Sequence, residues 1–225
     1  MHTLCLTAVY AMDWQPLRIV CRLGLSRHQR TRTTATSLSR LTKMTDPTTA
    51  IVIRNERPDD ANSVQQVLEH AFGRKAEGHL VARMRRLQIS PISLVAVDCS
   101  TKPSTKPDRI IGHIMFSPVT INNVPPPVPA LGLAPVAVVP ERQHQGIGST
   151  LIENGLTRCR HQGVGVVVVL GHHDYYPRFG FRPAPARGLT CEYKSPPESF
   201  MVIELRPGAL DVCRGLVRYH PSFAD

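Results

Sequence analysis

The sequence predicts an α/β fold (α+β under some schemes), with seven strands and about four helices in the order β-α-α-β-β-β-α-β-α-β-β. Two observations lead to it. The small and β-branched run Leu133 to Val139 ends in the turn Pro140-Glu141-Arg142-Gln143-His144-Gln145-Gly146-Ile147-Gly148-Ser149-Thr150-Leu151, which leads into helical periodicity. After that helix comes Gly163-Val-Gly-Val-Val-Val-Val-Leu170, apolar throughout and β-branched, which reads as a strand buried on both faces.

The other elements follow from local pattern. Ile51 to Arg54 alternates and reads as the first strand. Pro58-Asp59-Asp60 supplies helix-start chemistry for a helix through Val64, Val67, Leu68 and Phe72. A second helix over Glu77 to Leu87 places Leu80, Met84 and Leu87 on one face. Ser93 to Asp98 reads as a strand, Cys99 to Asp108 as a loop, and Arg109 to Pro118 as the returning strand. Four prolines between Asn122 and Pro129 exclude regular structure there. The strand 131–139 and a helix over about 146–161 come next. Ile147, Leu151 and Cys159 share one face of that helix, with Ile152 and Leu156 beside them. A helical turn near 174–178 follows the strand 164–170, and strands near 187–194 and 199–206 are expected to close the domain as an antiparallel pair.

The turn between strand and helix carries the chemistry. Its N–H groups lie at the positive end of a helix and its glycines let a ligand approach the backbone, which suits phosphate. A dinucleotide fingerprint is excluded, because Gly146-Ile147-Gly148 is followed by Leu151 where a third glycine is needed. A P-loop is excluded by the absence of Gly-Lys-Ser/Thr.

What remains, Gln143-x-x-Gly146-x-Gly148, resembles the acetyl-CoA pyrophosphate loop of the GNAT N-acetyltransferase superfamily. The segment Tyr176-x-x-Phe179-Gly180-Phe181 resembles the one GNAT enzymes place after their fifth strand. With Leu131-Gly-Leu-Ala-Pro-Val-Ala-Val138 and the tail Glu204 to Asp211, the chain is similar to the YhbS-like bacterial subfamily, closely from about Ala130 to Asp225 and more loosely from Ile51. The resemblance implies a mostly antiparallel seven-stranded sheet whose fourth and fifth strands splay around the cofactor. It implies acetyl-CoA as acyl donor, held by backbone at Val136, Ala137 and Val138 and by Gln143, His144, Gln145, Gly146, Ile147, Gly148 and Ser149. Many relatives have glycine where this chain has His144.

The same resemblance gives Tyr176 the role of general acid toward the departing thiolate. Many relatives carry a basic glutamate on the fourth strand, yet Leu131 to Val138 has no ionisable side chain. His172 is the candidate base, with His113 and His173 as alternatives. His172-His173-Asp174 is not read as a metal site, since adjacent residues rarely converge on one ion and no third ligand is identifiable. The function expected is direct acetyl transfer to a primary amine of a small molecule or protein. The missing glutamate keeps a second reading open, a CoA-binding sensor with little catalysis.

Charge and cysteines bound the rest. Residues 1–45 hold seven Lys/Arg against one acid, hence +6 of the net +10. The remaining +4 suits an anionic cofactor and is not the basic stripe of a nucleic-acid binder. Cys5, Cys21, Cys99, Cys159, Cys191 and Cys213 form no C-x-x-C pair, and scattered thiols suggest a reducing cytoplasm. No apolar run approaches a membrane span. Residues 1–49 read as an N-terminal extension, a transit peptide into an organelle or a segment upstream of a true start at Met44; the catalytic domain is expected over 50–225 as a monomer or homodimer.

Overall fold

The computed structural model describes residues 51–100, 108–122 and 128–224. The N-terminal extension, the tip of the Lys/Pro/Ser/Thr loop and most of the proline-rich loop lie outside these residues.

The first strand, β1 (Ile51–Asn55), runs antiparallel to β2 (Ile92–Asp98). Between them a short 3-10 turn over Pro58–Asp60 leads into α1 (Ala61–Phe72), followed by α2 (Ala76–Arg86). Asp60 accepts the Arg57 N–H at 2.7 Å and pairs with Arg54 of β1, which fixes the strand-to-helix junction. Val64, Val67 and Leu68 of α1 and Leu80 and Met84 of α2 are buried as the helical spacing requires. Leu87 departs from the expected face: it caps α2 and is exposed.

β3 (Arg109–Pro118) pairs antiparallel with β2 and, on its other side, with β5 (Ala130–Val138). The two-residue strand β4 (Thr120–Ile121) intervenes in sequence, so the family's fourth strand is β5. α3 (Ile147–His161) buries Ile147, Leu151, Ile152, Leu156 and Cys159 against the sheet. A Cβ on Gly155 would fall 2.3 Å from the Phe116 ring, so the glycine allows α3 to lie directly on β3.

β6 (Val166–Leu170) is the central buried strand, completely inaccessible at Val166, Val167 and Val168. It runs parallel to β5 over Ala130↔Val166, Leu131↔Val167 and Gly132↔Val168 only. Beyond Gly132, β5 stays with β3 as far as Gly112↔Val138, and β6 stays with β9 (Phe200–Glu204) as far as Leu170↔Phe200. The two strands therefore diverge, as the resemblance implied.

The last third corrects one expectation. β8 (Leu189–Cys191) and β9 are not an antiparallel pair. β9 pairs with β6 and with β7 (Arg182–Pro183), completing a seven-stranded sheet in the order β1-β2-β3-β5-β6-β9-β7. β8 instead joins β10 (Gly215–Arg218) and β4 in a second, three-stranded sheet. The one-turn helix α4 (Ala209–Val212) leads into β10. Alternation in a short strand shows which face is buried but not which strand lies beside it.

Candidate functional site

The site begins at the divergence of β5 and β6. The Val139 N–H donates to the Ile111 carbonyl at 3.0 Å, so Val139 and, by alternation, Ala137 turn their backbone groups toward β3. Val136 and Val138 turn theirs the other way, into the gap that β6 has left. Of the three expected backbone partners, Val136 and Val138 thus face the gap, while Ala137 lies in register with His113 of β3.

β5 continues into a 3-10 turn over Pro140–Arg142, where Arg142 and Gln143 donate backbone N–H groups to Val139 and Pro140. The Gln143 side chain turns back, its Nε2 donating to the Val138 carbonyl at 3.0 Å. His144 (φ 60) and Gly146 (φ 80) then occupy the left-handed region. The His144 conformation explains why glycine suits this position, since only glycine adopts it without steric cost.

Thr150 N–H to Gly146 carbonyl, at 3.0 Å, opens the α3 ladder. Donors earlier in the turn have no helical acceptor and sit where the helix dipole is positive. No acidic residue occupies the first turn of α3, and a Cβ at Gly146 would meet nothing within 4 Å. The cradle from His144 to Ser149 is open and shaped for an anion. Behind it, Arg142 Nη1 lies 3.0 Å from Asp98 Oδ2 at the end of β2. The Ser100 hydroxyl and N–H, helped by Arg142 and Arg109, hold the Asp98 carboxyl below its usual range against burial.

The segment after β6 brings two tyrosines to the same region. Tyr176 is buried and packs edge-on to Phe181 at 5.7 Å and to Tyr175 at 5.2 Å. Burial pushes its phenol well above the ordinary tyrosine value, so the hydroxyl keeps its proton at neutral pH. Tyr175 is half-buried, its hydroxyl 3.5 Å from Ser149 Oγ in the first turn of α3. The Arg178 guanidinium lies over the Tyr175 ring at 4.6 Å, and its Nε donates to the Tyr175 carbonyl. The His172 carbonyl accepts the Tyr175 N–H at 3.0 Å, which sets the turn holding both rings. His173 is exposed and pairs with the neighbouring Asp174 at 3.2 Å.

Sequence reasoning missed a buried polar cluster on the opposite face of the sheet. Ser93 of β2 donates its hydroxyl to Glu56, just beyond β1, and His113 Nε2 lies 2.9 Å from Ser93 Oγ and 3.5 Å from Glu56 Oε2. Arg85 of α2 closes the other side of the Glu56 carboxylate. Burial would raise the Glu56 carboxyl, but the His113 hydrogen bond and charge, the Ser93 hydroxyl and Arg85 outweigh it and bring it from 4.5 to about 2. Only His113 stood out in the sequence, because strand register, not spacing, unites the three residues.

Among the described residues no group of three or more His, Cys, Asp or Glu is placed to hold a metal, and no helix is long and apolar enough to cross a membrane. Splayed strands that end in a glycine-bearing turn at a helix N-terminus accord with the class of acetyltransferase domains, and a model of the acetyltransferase (GNAT) domain matches residues 52–184. The chain belongs to the GNAT acetyltransferase family. It is 33% identical to the uncharacterized N-acetyltransferase YhbS of Escherichia coli (strain K12) over 173 residues, 77% of this chain and 98% of YhbS. It is 35% identical to the uncharacterized N-acetyltransferase YjhQ of E. coli (strain K12), over 62% of this chain and 74% of YjhQ. Among solved structures, E. coli YhbS in complex with CoA superposes with a TM-score of 0.73 at 33% identity, covering 80% of this chain and 96% of that one. A GNAT family acetyltransferase from Brucella melitensis in complex with acetyl-CoA gives 0.62 at 35% identity, covering 77% and 98%.

Proposed function

We propose that the chain transfers the acetyl group of acetyl-CoA directly to a primary amine of a small molecule or protein. The observation that carries this reading is the continuity of the divergent β5 edge with the His144–Ser149 cradle. One feature offers carbonyl and N–H groups to an extended amide-bearing arm; the other offers N–H groups to a pyrophosphate. Val136 and Val138 would hold the arm. His144, Gln145, Gly146, Ile147, Gly148 and Ser149 would hold the phosphates, with Gln143 bracing the loop through its side chain.

Acetyl-CoA supplies the activated thioester, and the chain supplies position and protons. Tyr176, protonated and buried against Tyr175 and Phe181, would donate a proton to the leaving thiolate. His172 fixes the backbone turn that presents Tyr176, and its position after β6 makes it one candidate for the amine's proton. The unpaired thiols Cys99, Cys159, Cys191 and Cys213 accord with a cytoplasmic setting.

The absence of an acid on Leu131–Val138 favours a second reading, a CoA sensor without turnover. Release of CoA from acetyl-CoA in the presence of alkylamines, polyamines, aminosugars and a lysine-bearing peptide separates the two. Amine-dependent release with acetylated product supports the transferase. Tight acetyl-CoA binding without release across the panel supports the sensor.

A further inference from the structure

The base missing from β5 has a structural counterpart one strand away. His113 is completely buried on β3, and its Cα partner on β5 is Ala137, between the two residues whose backbones face the gap. It lies on the α1/α2 face: its hydrogen-bonded cluster reaches Arg85 of α2, whereas the preceding Gly112 faces Leu151 of α3. Ala137 carries only a methyl group on that face.

The cluster fixes the His113 tautomer. Ser93 has one hydroxyl proton and donates it to the Glu56 carboxylate, which can only accept. Ser93 Oγ therefore accepts from His113 Nε2–H at 2.9 Å. In the neutral ring Nδ1 then carries a bare lone pair, and Nδ1 has no hydrogen-bond partner among the described residues. A buried nitrogen with an unused lone pair, backed by a carboxylate that stabilises the charged ring, is the arrangement of a general base. The surroundings otherwise leave the ring alone. Val95 of β2 and Ala137 of β5 flank it, and α1 presents Val64, Val67 and Leu68 to the sheet. Its ion pair among the described residues is with Glu56, itself paired to Arg85.

We propose that His113 Nδ1, oriented by Ser93 and Glu56, is the proton acceptor of the transfer; this rests on the acetyltransferase reading above. The amine, having lost its ammonium proton to solvent, forms the new C–N bond while its N–H proton passes to Nδ1, directly or through one water. The C–S bond breaks and the thiolate takes the Tyr176 phenol proton. The imidazolium proton returns through solvent to the phenolate, so both groups are restored.

The test compares kcat/KM against pH for the wild type, His113→Gln and Glu56→Gln, using the best amine of the panel, with acetyl-CoA affinity measured by calorimetry. His113→Gln should lose roughly a hundredfold to ten-thousandfold in kcat/KM, keep its affinity for acetyl-CoA, and lose the acid limb of the profile. Glu56→Gln should lower kcat/KM while leaving acetyl-CoA affinity unchanged, because Ser93 loses the carboxylate that directs its proton away from His113. A merely structural His113 would leave the limb in place, and an unchanged profile in His113→Gln overturns the proposal. Nitrogen-15 spectra of the imidazole ring supply a readout independent of turnover and of the variants' folding. The wild type should show Nε2–H with unprotonated Nδ1; the opposite tautomer overturns the proposal. A wild type inactive on every amine but with the expected tautomer counts against the transferase reading instead.

Discussion

Gln143 Nε2 donates to the carbonyl oxygen of Val138 at 3.0 Å, tying the turn that precedes α3 to the last residue of β5. The bond makes the loop and the strand edge one rigid unit, although its carbonyl and amide belong to different parts of the site. Gln143→Leu keeps the volume and removes the donor. Loss of one such bond costs about 1 kcal/mol, so acetyl-CoA affinity should fall roughly fivefold in calorimetry. An unchanged affinity would show that the loop holds its shape without the brace.

His144 bears a left-handed backbone that most residues avoid. His144→Val places a β-branched side chain there and should destabilise the fold by roughly 1–2 kcal/mol in urea melts. His144→Gly relieves the strain but adds freedom to the unfolded chain, so its net change should stay below about 1 kcal/mol. Equal effects of the two substitutions would contradict the conformation.

Glu56 links stability to acid. Its folded-state carboxyl sits near 2 against an ordinary value of 4.5, so the ionised form stabilises the fold above about pH 4.5 and that contribution is lost as pH falls toward 2. Thermal melts at stepped pH should show a steeper loss in this window for the wild type than for Glu56→Gln. Parallel curves would mean that the carboxylate is not held by its partners.

Tyr176 and Tyr175 are adjacent but differently placed, one buried against Phe181 and one reaching toward Ser149. Tyr176→Phe should lower kcat roughly tenfold to a thousandfold with little change in acetyl-CoA affinity, and Tyr175→Phe should be mild. The reverse ranking would assign the proton to Tyr175.

The cradle was legible in the sequence because it is local: Gly146 and Gly148 follow a strand and open a helix, and the chain need only turn once to build it. The divergence of β5 from β6 came from the resemblance, since nothing in Leu131–Val138 by itself says where a neighbour departs. The pairing of β8 with β10, and of β9 with β6, depends on partners distant in sequence and was not legible. The Glu56–Ser93–His113 cluster was hidden for the same reason. Its members are the residue after β1, the second residue of β2 and a residue in the middle of β3, and their meeting is set by the Val95↔His113 register.

The central claim is that the first turn of α3 holds the pyrophosphate of acetyl-CoA. Calorimetric titration of acetyl-CoA into the wild type and Gly148→Glu tests it most directly, with melting curves to confirm that the variant folds. A carboxylate in the cradle would set negative charge and bulk where the phosphates bind. The wild type should bind and a folded Gly148→Glu should show no detectable heat of binding. Wild-type affinity in the folded variant would contradict the claim.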